Sequence, residues 1–258
     1  MRTKPIVFLA ASVLACGAAG QSTADEGLDR TFHLSHQSGA EPELATVIQA
    51  TADLRQVTTD PERRSLSIHG TPDQIALTEW LLKYLDAPPS ASESNAAAPR
   101  YQLPLSRKDE ANVVGVFYLP HVETAQSLQE VATTVRSVSD TRRLFIYTAR
   151  KAMVVRGTAV QIDLADWLVK ELDQPAYSAG SMKREYTVPG PGFPDNVVRV
   201  FSLKPDVSPQ RFQEIAKQVR VTTEVRRLFT YNAPRVITLR GTPGQVEQAY
   251  QMISEVNR

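Results

Sequence analysis

The chain repeats one pattern of mostly apolar residues three times, and this repeat limits its fold more than any other feature. In each copy the residues recur at i, i+3, i+4 and i+7, the spacing that lines one face of an α-helix. Successive copies are 84 residues apart: Leu44, Val47, Ile48 and Thr51; Leu128, Val131, Ala132 and Val135; Phe212, Ile215, Ala216 and Val219. The constant offset predicts one small folding unit used three times, rather than the one or two larger domains that 258 residues would suggest.

Each copy of this helix is followed by a hairpin and then by a second helix. The hairpins end in a glycine and a threonine, and threonine is a good N-cap for the helix that follows. With a short strand ahead of the first helix, each repeat has the order β-α-β-β-α. The predicted fold class is α+β, with three tandem repeats at 31–88, 101–175 and 186–258, whose hairpins end at Gly70-Thr71, Gly157-Thr158 and Gly241-Thr242.

Linkers rich in Pro, Gly and Ser join the three repeats. The first, 87–100, reads APPSASESNAAAPR, and the second, 176–196, contains the tract PGPG. Such compositions favour extended or mobile chain. Tyr101 and Tyr186 begin the similar stretches YQLP and YTVP, which predict an additional short strand ahead of the second and third repeats.

The first 20 residues have the pattern of an export signal. Arg2 and Lys4 supply the positive end, 6–14 is a short apolar run, and Ala18-Ala19-Gly20 is a small-residue cleavage region. The apolar run is shorter than the roughly 20 residues that span a bilayer. The sequence therefore predicts an exported, periplasmic protein.

Cys16 is the only cysteine of the chain, and it directly follows the apolar run. Its setting in VLACG resembles a bacterial lipoprotein signal, which is cut just before a lipidated cysteine. The alternative is plain cleavage near Gly20-Gln21, which discards Cys16. The first alternative anchors the protein to the outer membrane through lipid, and both leave the folded part without a disulfide.

The charge of the chain argues against a nucleic-acid partner. Without the signal, 27 basic side chains stand against 28 acidic ones, whereas nucleic-acid binding draws its affinity from clustered positive charge. A KH-type site also needs a Gly-x-x-Gly loop that joins two helices, and here each helix follows a strand or turn.

No catalytic or metal-binding pattern is visible in the sequence. The histidines do not share the spacing of a metal site on one helix face, and no Ser/His/Asp arrangement accompanies them. The sequence therefore predicts a protein without enzymatic activity, cofactor or metal, with scattered surface histidines at His33, His36, His69 and His121.

The hairpins of the second and third repeats carry the first candidate interaction surface. An aromatic pair recurs on one face of each hairpin and is flanked by arginines, a composition suited to protein contact if that face is turned away from the helices. If it is turned toward the helices, Leu144 and Ile146 are the exposed set instead. The candidate residues are Arg143, Phe145, Tyr147, Arg156, Arg227, Phe229, Tyr231 and Arg240.

The second helix of the first two repeats carries the other candidate surface. Beside its core-facing residues it has another apolar stripe, and a helix that is apolar on two faces must bury both. Either the stripe packs against a neighbour, with the third repeat ending the row, or it widens the core of its own repeat. The stripe contains Leu77, Trp80, Leu81 and Tyr84, then Leu164, Trp167 and Leu168, while the third repeat has Gln248, Gln251 and Met252.

The β-α-β-β-α order, with hairpin strands ending in IHGTP, VRGT or LRGTP and second helices ending in Leu-Asp-x-Pro, resembles the short N-terminal repeats of bacterial secretins. The resemblance covers 31–258 apart from the linkers. It implies periplasmic, KH-like modules that pack side by side and dock other components of secretion or pilus systems. No β-rich pore-forming region follows Arg258, so ring formation and secretion are not carried over with it.

The functional hypothesis is a non-enzymatic periplasmic scaffold or assembly protein. Its partners would be envelope proteins, a second copy of the chain or a secretin-type complex. Two alternatives from other classes are a KH-like nucleic-acid-binding protein and an enzyme with a site between repeats.

Overall fold

The structure of the chain is a computed structural model, and it describes residues 27–35, 39–87, 98–104, 111–174, 184–190 and 194–256. The predicted export signal and Cys16 lie outside these residues, as do His36 and most of both linkers. The β-α-β-β-α order occurs three times within the described residues. We call these three units module 1 (27–87), module 2 (98–174) and module 3 (184–256).

The elements follow the predicted order. The helices are α1 (Glu41–Thr51), α2 (Pro72–Leu85), α3 (Ala125–Val138), α4 (Ala159–Leu172), α5 (Pro209–Thr223) and α6 (Pro243–Val256). The strands are β1 (Leu28–His33), β2 (Val57–Asp60), β3 (Ser65–Gly70), β4 (Arg100–Gln102), β5 (Val113–Tyr118), β6 (Arg143–Tyr147), β7 (Ala152–Gly157), β8 (Arg184–Thr187), β9 (Val197–Ser202), β10 (Arg227–Tyr231) and β11 (Val236–Gly241).

Each module contains one antiparallel sheet with two helices on one face. The strand orders are β1-β3-β2, β4-β5-β7-β6 and β8-β9-β11-β10, so the fold is α+β. The fourth strand in modules 2 and 3 is the short strand that the YQLP and YTVP stretches predict. Strand β1 begins at Leu28, three residues before the predicted start of the first repeat.

The second helix of every module begins with the same cap. Thr71, Thr158 and Thr242 each accept a hydrogen bond from the backbone N–H three residues later, at 3.3 Å. The glutamine at that position returns a bond through its Oε1 to the backbone N–H of the threonine, which completes a capping box. Sequence reasoning identified the threonines but missed these glutamines.

The glycine before each threonine is needed for close packing. A Cβ on Gly157 would lie 2.8 Å from Gln161 Oε1, and Gly70 and Gly241 have the same relation to their own glutamines. The glutamine Nε2 also donates to a carbonyl at the end of the first helix, as from Gln161 to Asp140 O at 2.8 Å. The Gly-Thr-x-x-Gln motif thus joins the hairpin, the second helix and the end of the first helix.

Candidate interaction surfaces

The aromatic face of the module 2 hairpin is turned away from the helices of its own module. Leu144, Met153 and Val155 pack into the core beneath α3 and α4. Side chains alternate along a strand, so Phe145 and Tyr147 point to the opposite face. This open face is not in solvent, because α1 of module 1 covers it, and Tyr147 is fully buried in a cluster that contains the module 1 core.

Module 3 repeats the arrangement with its own residues. Leu228 and Leu239 belong to the module 3 core, whereas Tyr231, Val236 and Val200 pack into the core cluster of module 2. Phe229 is partly buried against the same cluster. The first helix of each preceding module, α1 and then α3, therefore lies on the open sheet face of the next.

The arginines that flank the aromatic pair of module 2 converge on one carboxylate of module 1. Asp53 lies just after α1 with φ of 54°, in the left-handed region that Asp tolerates better than most residues. Arg143 Nη1 lies 2.7 Å from Asp53 Oδ2, and Arg156 Nη1 lies 2.8 Å from the same oxygen. Arg156 also donates to the carbonyl of Thr51 at 2.8 Å, at the negative end of the α1 dipole.

The second interface contains the same constellation. Asp140 follows α3 with φ of 56° and lies 2.7 Å from Arg227 Nη1 and 3.2 Å from Arg240 Nη1. Arg240 donates to the carbonyl of Val138, the last residue of α3, at 2.7 Å. Its side chain is 3% exposed, against 16% for Arg156, so the second interface buries its arginine more completely.

The far end of each hairpin is held by a glutamate of the preceding helix. Glu43 Oε1 accepts the backbone N–H of Thr148 at 2.7 Å. Glu130 accepts both the backbone N–H and the side-chain Nδ2 of Asn232, each at 2.8 Å. Each interface is thus fixed by an acid at both ends of the hairpin and by apolar packing between them.

Burial changes the acid–base properties of the groups at these interfaces. Burial, followed by the charge of Glu43, raises the pKa of Tyr147 well above its usual range. Burial also raises the pKa of Tyr231. Burial and then the charge of Arg227 lower the pKa of Arg240 from its usual value, and the carboxylates of Asp140 and Asp195 act against that change.

The second apolar stripe of α2 and α4 meets the next module. The Trp80 ring lies 5.5 Å from the Tyr101 ring on β4, and Trp167 lies 5.5 Å from Tyr186 on β8. The Tyr118 hydroxyl of β5 donates to the Tyr84 carbonyl at 2.9 Å. Burial raises the pKa of both Tyr101 and Tyr186.

Leu77 and Leu164 lie deeper in the same helices and are 1% exposed. Leu77 belongs to the cluster that also holds the open face of module 2, and Leu164 to the cluster that holds the open face of module 3. All thirteen candidate interaction residues therefore lie in or beside the two interfaces between modules. Whether they also contact a separate protein remains a prediction.

Sequence reasoning missed the acidic partners of the arginines. Asp53, Asp140, Glu43 and Glu130 were not singled out, although an acidic residue follows the first helix of every repeat, with Glu224 in module 3. An acidic residue that recurs after the first helix, together with arginines that recur on the hairpins, is the sequence signal that was available for predicting these ion pairs. Glu224 has φ of 53° but is exposed, and it has no ion pair within the described part of the chain.

The surfaces of modules 1 and 3 that face no other module are polar, whereas the corresponding surfaces between modules are apolar. The register places Thr31, Ser65 and Ser67 of module 1 where module 2 has Val116, Ala152 and Val154. On α6 of module 3, Gln248 and Gln251 are exposed at the positions of Leu164 and Trp167 in α4. The open sheet face of module 1 and the outer stripe of α6 therefore lack the apolar side chains that line the corresponding surfaces between modules.

Metal-binding clusters and membrane-spanning helices are both absent from the described residues. No group of three or more His, Cys, Asp and Glu side chains within them is placed to hold a metal ion. No helix within them combines the length and the apolar character that a membrane span requires.

No protein-family model and no curated protein matches the sequence. Among solved structures, the chain is similar to Aeromonas hydrophila ExeD, with 13% identity over 91% of this chain and 42% of that one and a TM-score of 0.21. It is also similar to the N-terminal domain of the secretin XcpQ from Pseudomonas aeruginosa, with 12% identity over 57% of this chain and 62% of that one and a TM-score of 0.23.

A third similar structure is the a/eIF2alpha-aDim2p-rRNA complex from Pyrococcus horikoshii, with 11% identity over 59% of this chain and 89% of that one and a TM-score of 0.32. The chain spans less than half of ExeD and less than two thirds of the XcpQ domain. These TM-scores are too low to assign the chain to a family.

Proposed function

We propose that the chain is a non-enzymatic scaffold or assembly protein of the periplasm that works through protein contacts. In this proposal each module is one KH-like domain of the secretin N-terminal type, over the intervals predicted from the sequence. Residues 1–20 direct export, and Cys16 is either lipidated or removed with the signal. The partners are envelope proteins of a secretion or pilus system.

The observation that carries the proposal is the use of the same interface twice. The recurring aromatic and arginine residues of the hairpins hold three sheets in a fixed row, through Asp53 in one case and Asp140 in the other. Ion pairs and shared apolar cores between neighbouring modules hold them in one arrangement, so that their outer surfaces are preorganised. Such a surface suits a scaffold, because docking on a preorganised surface costs little ordering entropy.

The test is crosslinked pull-down of the tagged full chain from fractionated cells, compared with a C16S variant. We expect the wild-type chain in the envelope fraction, crosslinked to components of a secretion or pilus assembly. Movement of C16S from the membrane to the soluble periplasmic fraction would indicate lipidation. Retention in the cytoplasm, or recovery with RNA that depends on salt concentration, would overturn the proposal in favour of the nucleic-acid alternative.

A further inference from the structure

An open strand edge lies in a groove at each interface between modules. Strand β6 is the outermost strand of the module 2 sheet, on the side opposite β4. A groove at this edge has α1 on one wall, contributing Thr46 and Val47, and α3 on the other, contributing Arg136. Phe145 and Ile146 of β6 form its floor.

The backbone groups that face this groove follow from the hydrogen bonds of the neighbouring strands. Val116 of β5 donates its backbone N–H to Pro99, away from β7, so its partner Val154 bonds toward β6 instead. Phe145 lies opposite Val154 and bonds with it. By alternation the N–H and C=O of Leu144 and Ile146 point to the groove.

Charged side chains already occupy both ends of this edge. Arg136 Nη2 donates to the Leu144 carbonyl at 2.8 Å, and Glu43 accepts the Thr148 N–H. Between them the N–H and C=O of Ile146 face the groove. A guanidinium at one end and a carboxylate at the other limit the open edge to a short segment of backbone.

Module 3 contains the same groove. Arg220 Nη2 donates to the Leu228 carbonyl at 2.5 Å, and Glu130 accepts the Asn232 N–H. Phe229 and Thr230 line the groove together with α3. Thr230 occupies the position of Ile146, so its backbone N–H and C=O also face the groove.

The opposite edges of the same sheets show how such an edge is filled. Strand β4 pairs with β5 over three residues, and β8 pairs with β9 over four, each supplied by the chain that leads into the module. A strand of this length is thus sufficient to close one edge of each sheet. Within the described residues no strand pairs with the outer edges of β6 and β10, where Ile146 and Thr230 present outward N–H and C=O groups.

We propose that each groove binds an extended segment of a partner protein, which adds as a short strand to β6 or β10. An extended backbone is the ligand that matches outward N–H and C=O groups of a strand. Apolar side chains at alternate positions of the segment pack on Phe145 in one groove and on Phe229 in the other. The array then displays two equivalent peptide sites 84 residues apart in sequence.

The proposal rests on the proposed function only in taking a protein as the partner. Its test uses the purified chain and a synthetic peptide, so its failure would leave export and the scaffold role untouched. Failure of the pull-down would in turn leave peptide binding measurable.

The probe is an eight-residue peptide with alternating valine and threonine between terminal lysines, titrated into the isotope-labelled chain and followed by amide NMR. We expect shifts of the amides of β6 and β10 and slower hydrogen exchange at Ile146 and Thr230. I146P removes one outward N–H without breaking the ladder to β7, since proline is tolerated on edge strands. It is expected to weaken binding at the β6 groove by about tenfold and to leave the β10 groove unchanged.

I146T is the matched control, because threonine occupies this position in module 3, and it should bind as the wild type does. A peptide that is N-methylated at every residue between the terminal lysines blocks both of its strand edges, tests the wild-type protein directly and should not bind. Unchanged binding by that peptide, or shifts confined to other surfaces, would overturn the proposal. Concentration-dependent self-association that I146P abolishes would also overturn it, by showing a second copy of the chain at the edge.

Discussion

At the scale of single residues, two aspartates in left-handed backbone conformations position the modules. Asp53 and Asp140 each bind two arginines of the next module, and one arginine of each pair, Arg156 or Arg240, also donates to the last carbonyl of the preceding helix. The sequence could not predict these pairs, because the partners are 87 to 103 residues apart and an acid after a helix is ordinarily a solvated turn residue.

Replacement of Asp140 by asparagine should lower the free energy of unfolding by about 1–3 kcal/mol, because the buried Arg240 loses its nearer carboxylate and keeps that of Asp195 at 4.0 Å. The range is below that of a fully buried pair, since Asp140 is 45% exposed. D53N should cost less, about 0.5–1 kcal/mol, because Arg156 is more exposed. Chemical denaturation measures both changes.

E224Q is the matched control for this pair of variants. Glu224 has the same position and backbone conformation but faces no arginine pair of a following module within the described residues. We expect its unfolding curve to superimpose on that of the wild type. Equal losses in D140N and E224Q would contradict a role for Asp140 between modules.

At the scale of elements, periodicity predicts where the helices and strands lie, but not what covers them. The apolar stripes place the first helices correctly, and the returning hairpin strands end at the predicted glycines, Gly70, Gly157 and Gly241. Alternation places Phe145 and Tyr147 on one face of the hairpin, but the sequence leaves open whether that face is turned away from the helices. That α1 covers this face could not be predicted, because a surface for a neighbouring module and a surface for a separate protein have the same composition.

The Gly-Thr-x-x-Gln motif gives a prediction at this scale. G157A should push the Gln161 side chain from the capping box and lower the free energy of unfolding by about 1–2 kcal/mol, because that side chain loses its hydrogen bonds to Thr158 and Asp140. Q161A should cost a similar amount. The double variant G157A/Q161A should cost less than the sum, because both changes remove the same side-chain bonds.

G244A is the control for the added methyl group. Gly244 lies in the first turn of α6, and nothing lies within 4 Å of a Cβ built on it. Thermal unfolding should show an unchanged or slightly more stable protein, because alanine favours a helix over glycine by roughly 1 kcal/mol. If the losses in the free energy of unfolding of G157A and Q161A were strictly additive, the two variants could not act through the same Gln161 side chain.

At the scale of the whole molecule, the chain is a row of three modules whose cores run into one another. The core cluster of module 1 includes side chains of the module 2 sheet, and that of module 2 includes side chains of the module 3 sheet. Terminal units of repeat arrays need polar outer faces, and both the open sheet face of module 1 and the outer face of α6 are polar. The outer face of α6 therefore does not offer a second copy of the chain the apolar stripe that α2 and α4 turn toward the next module.

The two tryptophans of the chain report on the two interfaces separately, Trp80 on the first and Trp167 on the second. W167F leaves Trp80 as the only reporter, and W80F leaves Trp167. D53R or D140R would place a third arginine beside the two arginines of the next module. Repulsion between like charges would then replace the ion pairs at that interface and leave the other interface intact. Far-UV circular dichroism of each variant checks that the helices persist.

The most direct test of the row is tryptophan emission and acrylamide quenching in these single-tryptophan proteins. We predict that D53R shifts the emission of Trp80 to longer wavelength and increases its quenching, with no change at Trp167, and that D140R does the reverse. Equal responses of Trp80 to both substitutions, or no response of either tryptophan to the substitution at its own interface, would contradict a row held together by Asp53 and Asp140.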